Sequence, residues 1–234
     1  MNAKGIDMTV IVFGAEKGGV GKTSLALNFT VLAASANVDV VLLDTDRQKT
    51  ASNWLSLRID DVRLPSVSVL ANSADPLHEI SSLSRRYELV VVDIGAQNYR
   101  ALVECAMFAD VYVVPTSTSA LDIDTAEDLF QLLNKIRPKE KSHKTLACIA
   151  LTKVPNHPQS KEVLRTRERL AQAQIPVLDA VLPNRSAWRS MANSGMALHE
   201  LTGRDQDARA IAEMQQLYDE IVSKVPTTAT RRRR

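Results

Sequence analysis

At 234 residues, with 45% hydrophobic side chains, 4% aromatic and a net charge of +2, the chain has the length and composition of one large α/β domain. No apolar run approaches the roughly 20 residues that cross a bilayer, and the N-terminus reaches a glycine-rich loop too soon for a secretory leader. The two cysteines, Cys105 and Cys148, sit in apolar settings without metal-ligand spacing, which points to core packing in a reducing cytosol.

The first apolar run, TVIVFG, predicts a buried strand that feeds directly into the loop GAEKGGVGKT, and SLALNFTVLAAS behind it has helical length and composition. VDVVLLDTD predicts the next strand, followed by a helix near 50–58. Strand-like runs then recur at 66–71 (SVSVLA), 87–95 (YELVVVDIG), 109–117 (ADVYVVPTS), 145–153 (TLACIALTK) and 176–183 (PVLDAVLP). Helical patterns lie between them, most clearly over 121–136, 159–173 and 205–224. Near-continuous Val, Ile and Leu mark strands buried on both faces, and therefore a doubly wound, mostly parallel sheet with helices on each side. Residues 1–225 read as one domain and 226–234 as a basic tail ending in Arg231 to Arg234.

Charge is divided unevenly along the chain. Residues 1–120 carry 10 basic and 13 acidic side chains against 19 and 14 for residues 121–234, so the second half is net +5. A polyanion is a natural partner for it.

The loop between the first strand and helix carries the chemistry. Gly18, Gly19 and Gly21 let backbone N–H groups turn inward around phosphate oxygens, with Val20 between them and Ser24 just beyond. The helix starting near Lys22 adds its positive end. Lys22 is expected on the β- and γ-phosphates and the Thr23 hydroxyl on Mg²⁺. Three carboxylates close predicted strands: Asp44 and Asp46 in VVLLDTDRQ, Asp93 in LVVVDIGAQ. In an open parallel sheet these ends share the ligand edge. Asp93 suits the carboxylate that holds the metal, Asp44 a place just behind it, and Asp46 the orientation of an attacking water.

KGGVGKTS, LLDTDRQ and VVVDIGA together resemble the deviant Walker A ATPases of the ParA/MinD superfamily, over nearly the whole chain. The resemblance implies ATP and Mg²⁺ as cofactors and a homodimer that closes on ATP. In it the early lysine, Lys17, reaches phosphates held by the other subunit. It also places Lys153, Pro183 and Asn184 around the adenine. The short ParA type fits best, because only about a dozen residues precede the loop. Three departures stand out: Arg47 where proline is usual, DIGAQ in place of Asp-x-Pro-Pro, and Glu16 beside Lys17. The last helical stretch is mixed in charge, unlike a basic membrane-binding helix.

ParA-like dimers bind DNA without sequence preference, and the basic second half offers means. Lys161, Arg165 and Arg169 recur every four residues and share one helical face; Arg185 and Arg189 form another such pair. The expectation is an ATP-driven partition ATPase on the nucleoid in the cytoplasm, stimulated by a ParB-like DNA-bound adaptor, without a membrane role. A conjugation or protein-positioning ATPase of the same superfamily is the alternative, and a metabolic P-loop ligase a third.

Overall fold

Each of the seven apolar runs forms a strand. The computed structural model describes residues 8–58, 64–71, 75–96, 98–136, 145–155 and 157–226. The elements are β1 (Thr9–Phe13), α1 (Lys22–Ser35), β2 (Val40–Asp44), α2 (Thr50–Ser56), β3 (Ser68–Ala71), α3 (Pro76–Leu83), β4 (Leu89–Asp93) and α4 (Tyr99–Ala106). There follow β5 (Val111–Thr116), α5 (Ala120–Lys135), β6 (Leu146–Val154), α6 (Lys161–Gln172), β7 (Val177–Pro183), α7 (Ser186–Ser194) and α8 (Ala208–Lys224). Two 3-10 turns, Leu198–Glu200 and Gly203–Asp205, join the last two helices.

The strands make one sheet in the order β3-β2-β4-β1-β5-β6-β7, with every pair parallel. Strand alternation assigns the two faces. Val10, Val12, Val41, Leu43, Val90 and Val92 pack with α3, α4, α5 and α6. Ile11, Phe13, Leu42, Val91 and Val113, one residue out of step, pack with α1, α2, α7 and α8. Both faces are therefore covered, which is why the central strands are apolar at every position rather than at every second one. On the edge, β3 has no buried residue, Ser68 and Val69 being exposed.

Three short helices that the sequence pattern does not single out, α3, α4 and α7, are marked by their ends. The eight residues of α3 and of α4 start from side-chain caps, Asp75 accepting from the His78 amide and Asn98 from the Ala101 amide. The nine-residue α7 ends at Gly195 in the left-handed conformation, φ 71°. Both cysteines are buried, and burial pushes each thiol up to about 12. The α8 helix buries Ala210, Met214, Leu217 and Ile221 against the sheet layer. No helix among the described residues is long and apolar enough to cross a membrane. The Arg231–Arg234 run and the rest of the tail from residue 227 lie outside the described residues.

Candidate nucleotide-binding site

The β1–α1 loop leaves the carboxyl edge of the sheet next to the ends of β2 and β4, because β1 pairs with β4 and β4 with β2. Gly19 and Gly21 have φ 77° and 98°, a left-handed backbone that a side chain would strain. Gly21 starts α1 without a side-chain cap, and the first bond of the helix runs from the Leu25 amide to its carbonyl at 2.9 Å. The amides of Lys22, Thr23 and Ser24 are thus the helix's unpaired donors, turned toward the loop. From behind, the Thr152 hydroxyl on β6 donates to the Val20 carbonyl at 2.7 Å and pins the loop to the sheet.

Lys22 is 6% exposed, and its ammonium donates to the Lys17 carbonyl at 2.8 Å. Burial lowers its pKa, while Asp93 and Asp46 oppose that shift. A lysine held this way is desolvated beforehand and carries its charge to the floor of the cleft.

Asp93 closes β4 with zero exposure, and neither of its carboxylate oxygens has a hydrogen-bond partner. Burial raises its carboxyl to about 7 and Asp44 and Asp46 add to the rise, while the nearby Thr23 hydroxyl and the Lys22 ammonium oppose it. Orphaned buried oxygens are costly unless a cation or proton meets them. A carboxylate and a hydroxyl side by side are the hard oxygen donors Mg²⁺ takes, so Asp93 and Thr23 fit that ion.

Asp44, expected just behind the metal carboxylate, spends both oxygens on the protein's own groups. Its Oδ1 accepts the Asp46 amide at 2.9 Å, and Oδ2 accepts the Ser52 amide and hydroxyl at 3.0 and 2.9 Å. Both oxygens are committed to holding the loop that follows β2 and the first turn of α2, so Asp44 acts by positioning its neighbours. Asp46 lines the cleft with Gly18, Gly19, Gly21, Lys22, Thr23, Ser24, Gly95 and Lys153. Its Oδ1 accepts the Gln48 amide at 2.9 Å, which fixes the side chain in a tight turn.

Thr45 joins the β2 and β4 ends, its amide and hydroxyl donating to the Asp93 carbonyl and its oxygen accepting the Gly95 amide at 3.2 Å. The approach is so close that a Cβ on Gly95 would lie 2.7 Å from the Asp46 Cα.

Beside the phosphate cleft lies a mainly apolar pocket. Lys153, Pro183 and Asn184 line it together with Gly21, Ser24, Leu25, Thr152, Leu182 and Trp188. Trp188 went unnoticed in the sequence, although its place one turn beyond Asn184 was a signal. Lys153 faces both cavities and holds φ 51°, a strained value for a lysine.

Lys17 stands on the rim of the loop. Its side chain is 45% exposed, and its ammonium is paired with Asp122 in the first turn of α5. The Ser117 hydroxyl holds the other Asp122 oxygen at 2.6 Å. Asp122, also missed in the sequence, lies far along the chain from its partner, and only the packing of α5 beside β5 and β6 brings them together.

The five basic residues expected at DNA do not form one free surface. Arg169 is forked onto Glu127 at 2.7 and 2.9 Å and onto Asp124 at 2.5 Å. Arg185 is forked onto Glu213 at 2.6 and 2.8 Å. Opposed charges from α5 and α8 thus occupy both. Lys161, Arg165 and Arg189 are exposed, with no ion pair among the described residues.

Residues 11–198 match the family described as the CobQ/CobB/MinD/ParA nucleotide binding domain. A Rhizobium radiobacter protein named ParA is 22% identical over 224 residues, covering 96% of this chain and all of that one. The fold is shared with an ATP complex of a Cyanothece McdA variant (TM-score 0.68, 15% identity, 91% of this chain and 97% of that one). It is also shared with the Pyrococcus horikoshii septum site-determining protein MinD bound to Mg-ADP (TM-score 0.68, 17% identity, 92% and 96%). With a match over most of its length and a loop built for phosphates, the chain belongs to the CobQ/CobB/MinD/ParA nucleotide-binding family.

Proposed function

We propose that this protein is a partition-type ATPase switch: ATP closes a homodimer, the dimer binds DNA without sequence preference, and a DNA-bound ParB-like adaptor triggers hydrolysis. One observation carries the dimer. Lys17 is half exposed on the rim and is turned from its own cleft onto Asp122, so its charge is available to a second subunit once that pair opens. A lysine needed only inside its own site would lie beside Lys22, under the loop.

The residues divide the work by position. Lys22 and the amides at the start of α1 hold the β- and γ-phosphates. Thr23 and Asp93 would hold Mg²⁺, whose charge would offset that of the phosphates. Asp46, fixed at the mouth of the cleft, orients a water, and Thr45 keeps it in register with Asp93. Lys153, Asn184 and Trp188 border the seat for the base.

Light scattering with ATP and a slowly hydrolysed analogue tests the switch. The wild type is expected to dimerise, and Lys17→Ala to bind nucleotide but stay monomeric. An ATP-dependent dimer in that variant would remove Lys17 from the interface. The protein-positioning reading gains from one finding, the intramolecular capture of Arg169 and Arg185, which leaves fewer cations for DNA. ATP-dependent DNA binding would favour partition; its absence alongside normal dimerisation would favour positioning on another surface.

A further inference from the structure

Arg58 follows the end of α2 and is 5% exposed, a burial that an arginine tolerates only with partners. Its guanidinium forks onto Glu200 at 2.6 and 2.8 Å and donates to the carbonyls of Gly195 at 2.8 Å and Pro65 at 3.2 Å. It also lies over the Trp54 ring at 5.4 Å. Glu200 in turn accepts the Ala197 amide at 2.7 Å. The Trp54 indole donates to the Met191 carbonyl at 2.7 Å. Met191 is in the last turn of α7, and Gly195 is the residue that ends it. A helix has no internal donors for its last carbonyls, so Trp54 and Arg58 of the α2 segment cap α7 from outside.

The opposite end of α7 carries Trp188, with Asn184 just before it, on the wall of the apolar pocket. A nine-residue helix is only about 13 Å long, so a shift at its capped end tilts Trp188. The α2 segment that supplies the caps is itself tied to Asp44 through Ser52. Contacts therefore run unbroken from the end of β2, beside Asp46, to the pocket wall. Asn28 of α1 adds a third tie, accepting the Leu198 amide at 2.8 Å.

Net stability is a poor reason for such an arrangement, because apolar residues of equal volume commonly replace a buried ion pair without loss. What a forked arginine adds is fixed geometry. We propose that Arg58 and Glu200 are positioning residues: they clamp the C-terminus of α7, hold Trp188 and Asn184 at the base, and so give the site its preference for a nucleoside triphosphate over bare triphosphate. The inference rests on the reading of the Trp188 pocket as the base seat.

Calorimetric titration with ATP and with inorganic tripolyphosphate, both with Mg²⁺, tests it. In Arg58→Met/Glu200→Leu, which keeps the volume and removes the fork, ATP affinity is expected to fall about ten-fold while tripolyphosphate affinity stays within about two-fold. Arg58→Lys, which keeps the charge without the fork, is expected to lose most of the same preference. Equal losses for both ligands, no change for either, or full preference in Arg58→Lys would each overturn the clamp. Melting temperatures of all variants separate this from general destabilisation. Trp188→Ala tests the seat independently. If it leaves the ATP preference intact, the seat reading fails and the clamp with it; if it lowers the preference while the paired variant does not, the clamp alone fails.

Discussion

Asp93 shows how one buried carboxyl couples pH, stability and the metal. Its folded carboxyl titrates at about 7 against an ordinary 3.8. Below the ordinary value both folded and unfolded states hold the proton, so burial carries no ionisation penalty. As pH rises between the two values the unfolded chain ionises first and stability is lost, levelling off above about 7. Asp93→Asn should therefore stabilise the metal-free protein at pH 8, by up to about 4 kcal/mol, with the gain shrinking toward pH 5. Thermal melts across that range check it, and a pH-independent difference would contradict the burial argument. Mg²⁺ needs the ionised form, so its binding with nucleotide should release a proton near pH 7 and weaken below it. The two lysines differ in the same local terms. Lys22→Ala should abolish tight ATP binding by calorimetry, since it removes a charge-assisted contact from a water-poor loop. Asp122→Asn should instead free Lys17 and lower the protein concentration at which ATP dimers form.

Elements matter here through their ends. The helix α1 offers donors because Gly21 caps it with backbone alone, and α2 is anchored because Asp44 meets its first turn. The loops after β2 and β4 touch so closely that Gly95→Ala must push Asp46 aside. That variant should lose about 1–3 kcal/mol of stability, the usual result of overpacking. It should also slow ATP hydrolysis more than it weakens ATP binding, because Asp46 moves while the phosphate loop does not. A phosphate-release assay beside ATP titration distinguishes the two effects; an unchanged rate would separate Asp46 from the chemistry. Cation availability is likewise decided between elements. On α6, Lys161 and Arg165 point to solvent while α5 captures Arg169.

At the scale of the molecule, DNA binding depends on adding weak cationic patches. A dimer doubles every exposed cation, so affinity should appear only with ATP and fall steeply with salt as counterions compete for phosphates. Replacing Lys161, Arg165 or Arg189 by alanine should lower the salt slope by about 1 for each phosphate that the side chain neutralises. Replacing Arg169 should act mainly through the α5–α6 packing, altering stability more than the slope. Filter binding over a salt series decides this: a flat response in the wild type, or binding without ATP, would remove the DNA-triggered switch.

The sequence by itself determined the sheet and the phosphate loop. Runs such as VVLLD and LVVVD are apolar at every position up to the closing aspartate, which only a strand covered on both faces requires. Glycines followed by Lys22 and Thr23 encode their local backbone and chemistry within a few residues. The acidic strand ends were legible for the same reason, since the ends of parallel strands share one edge. Their individual roles were not. Asp44 and Asp93 end neighbouring strands, yet one is saturated by Ser52 and the Asp46 amide while the oxygens of the other have no hydrogen-bond partner. Only the tertiary structure decided that, as it decided the capture of Arg169 and Arg185, the Lys17–Asp122 pair and the Arg58–Glu200 clamp. Partners in such pairs lie on different elements, 142 residues apart for the clamp, and no local propensity or spacing records which carboxylate a folded chain will bring to which cation.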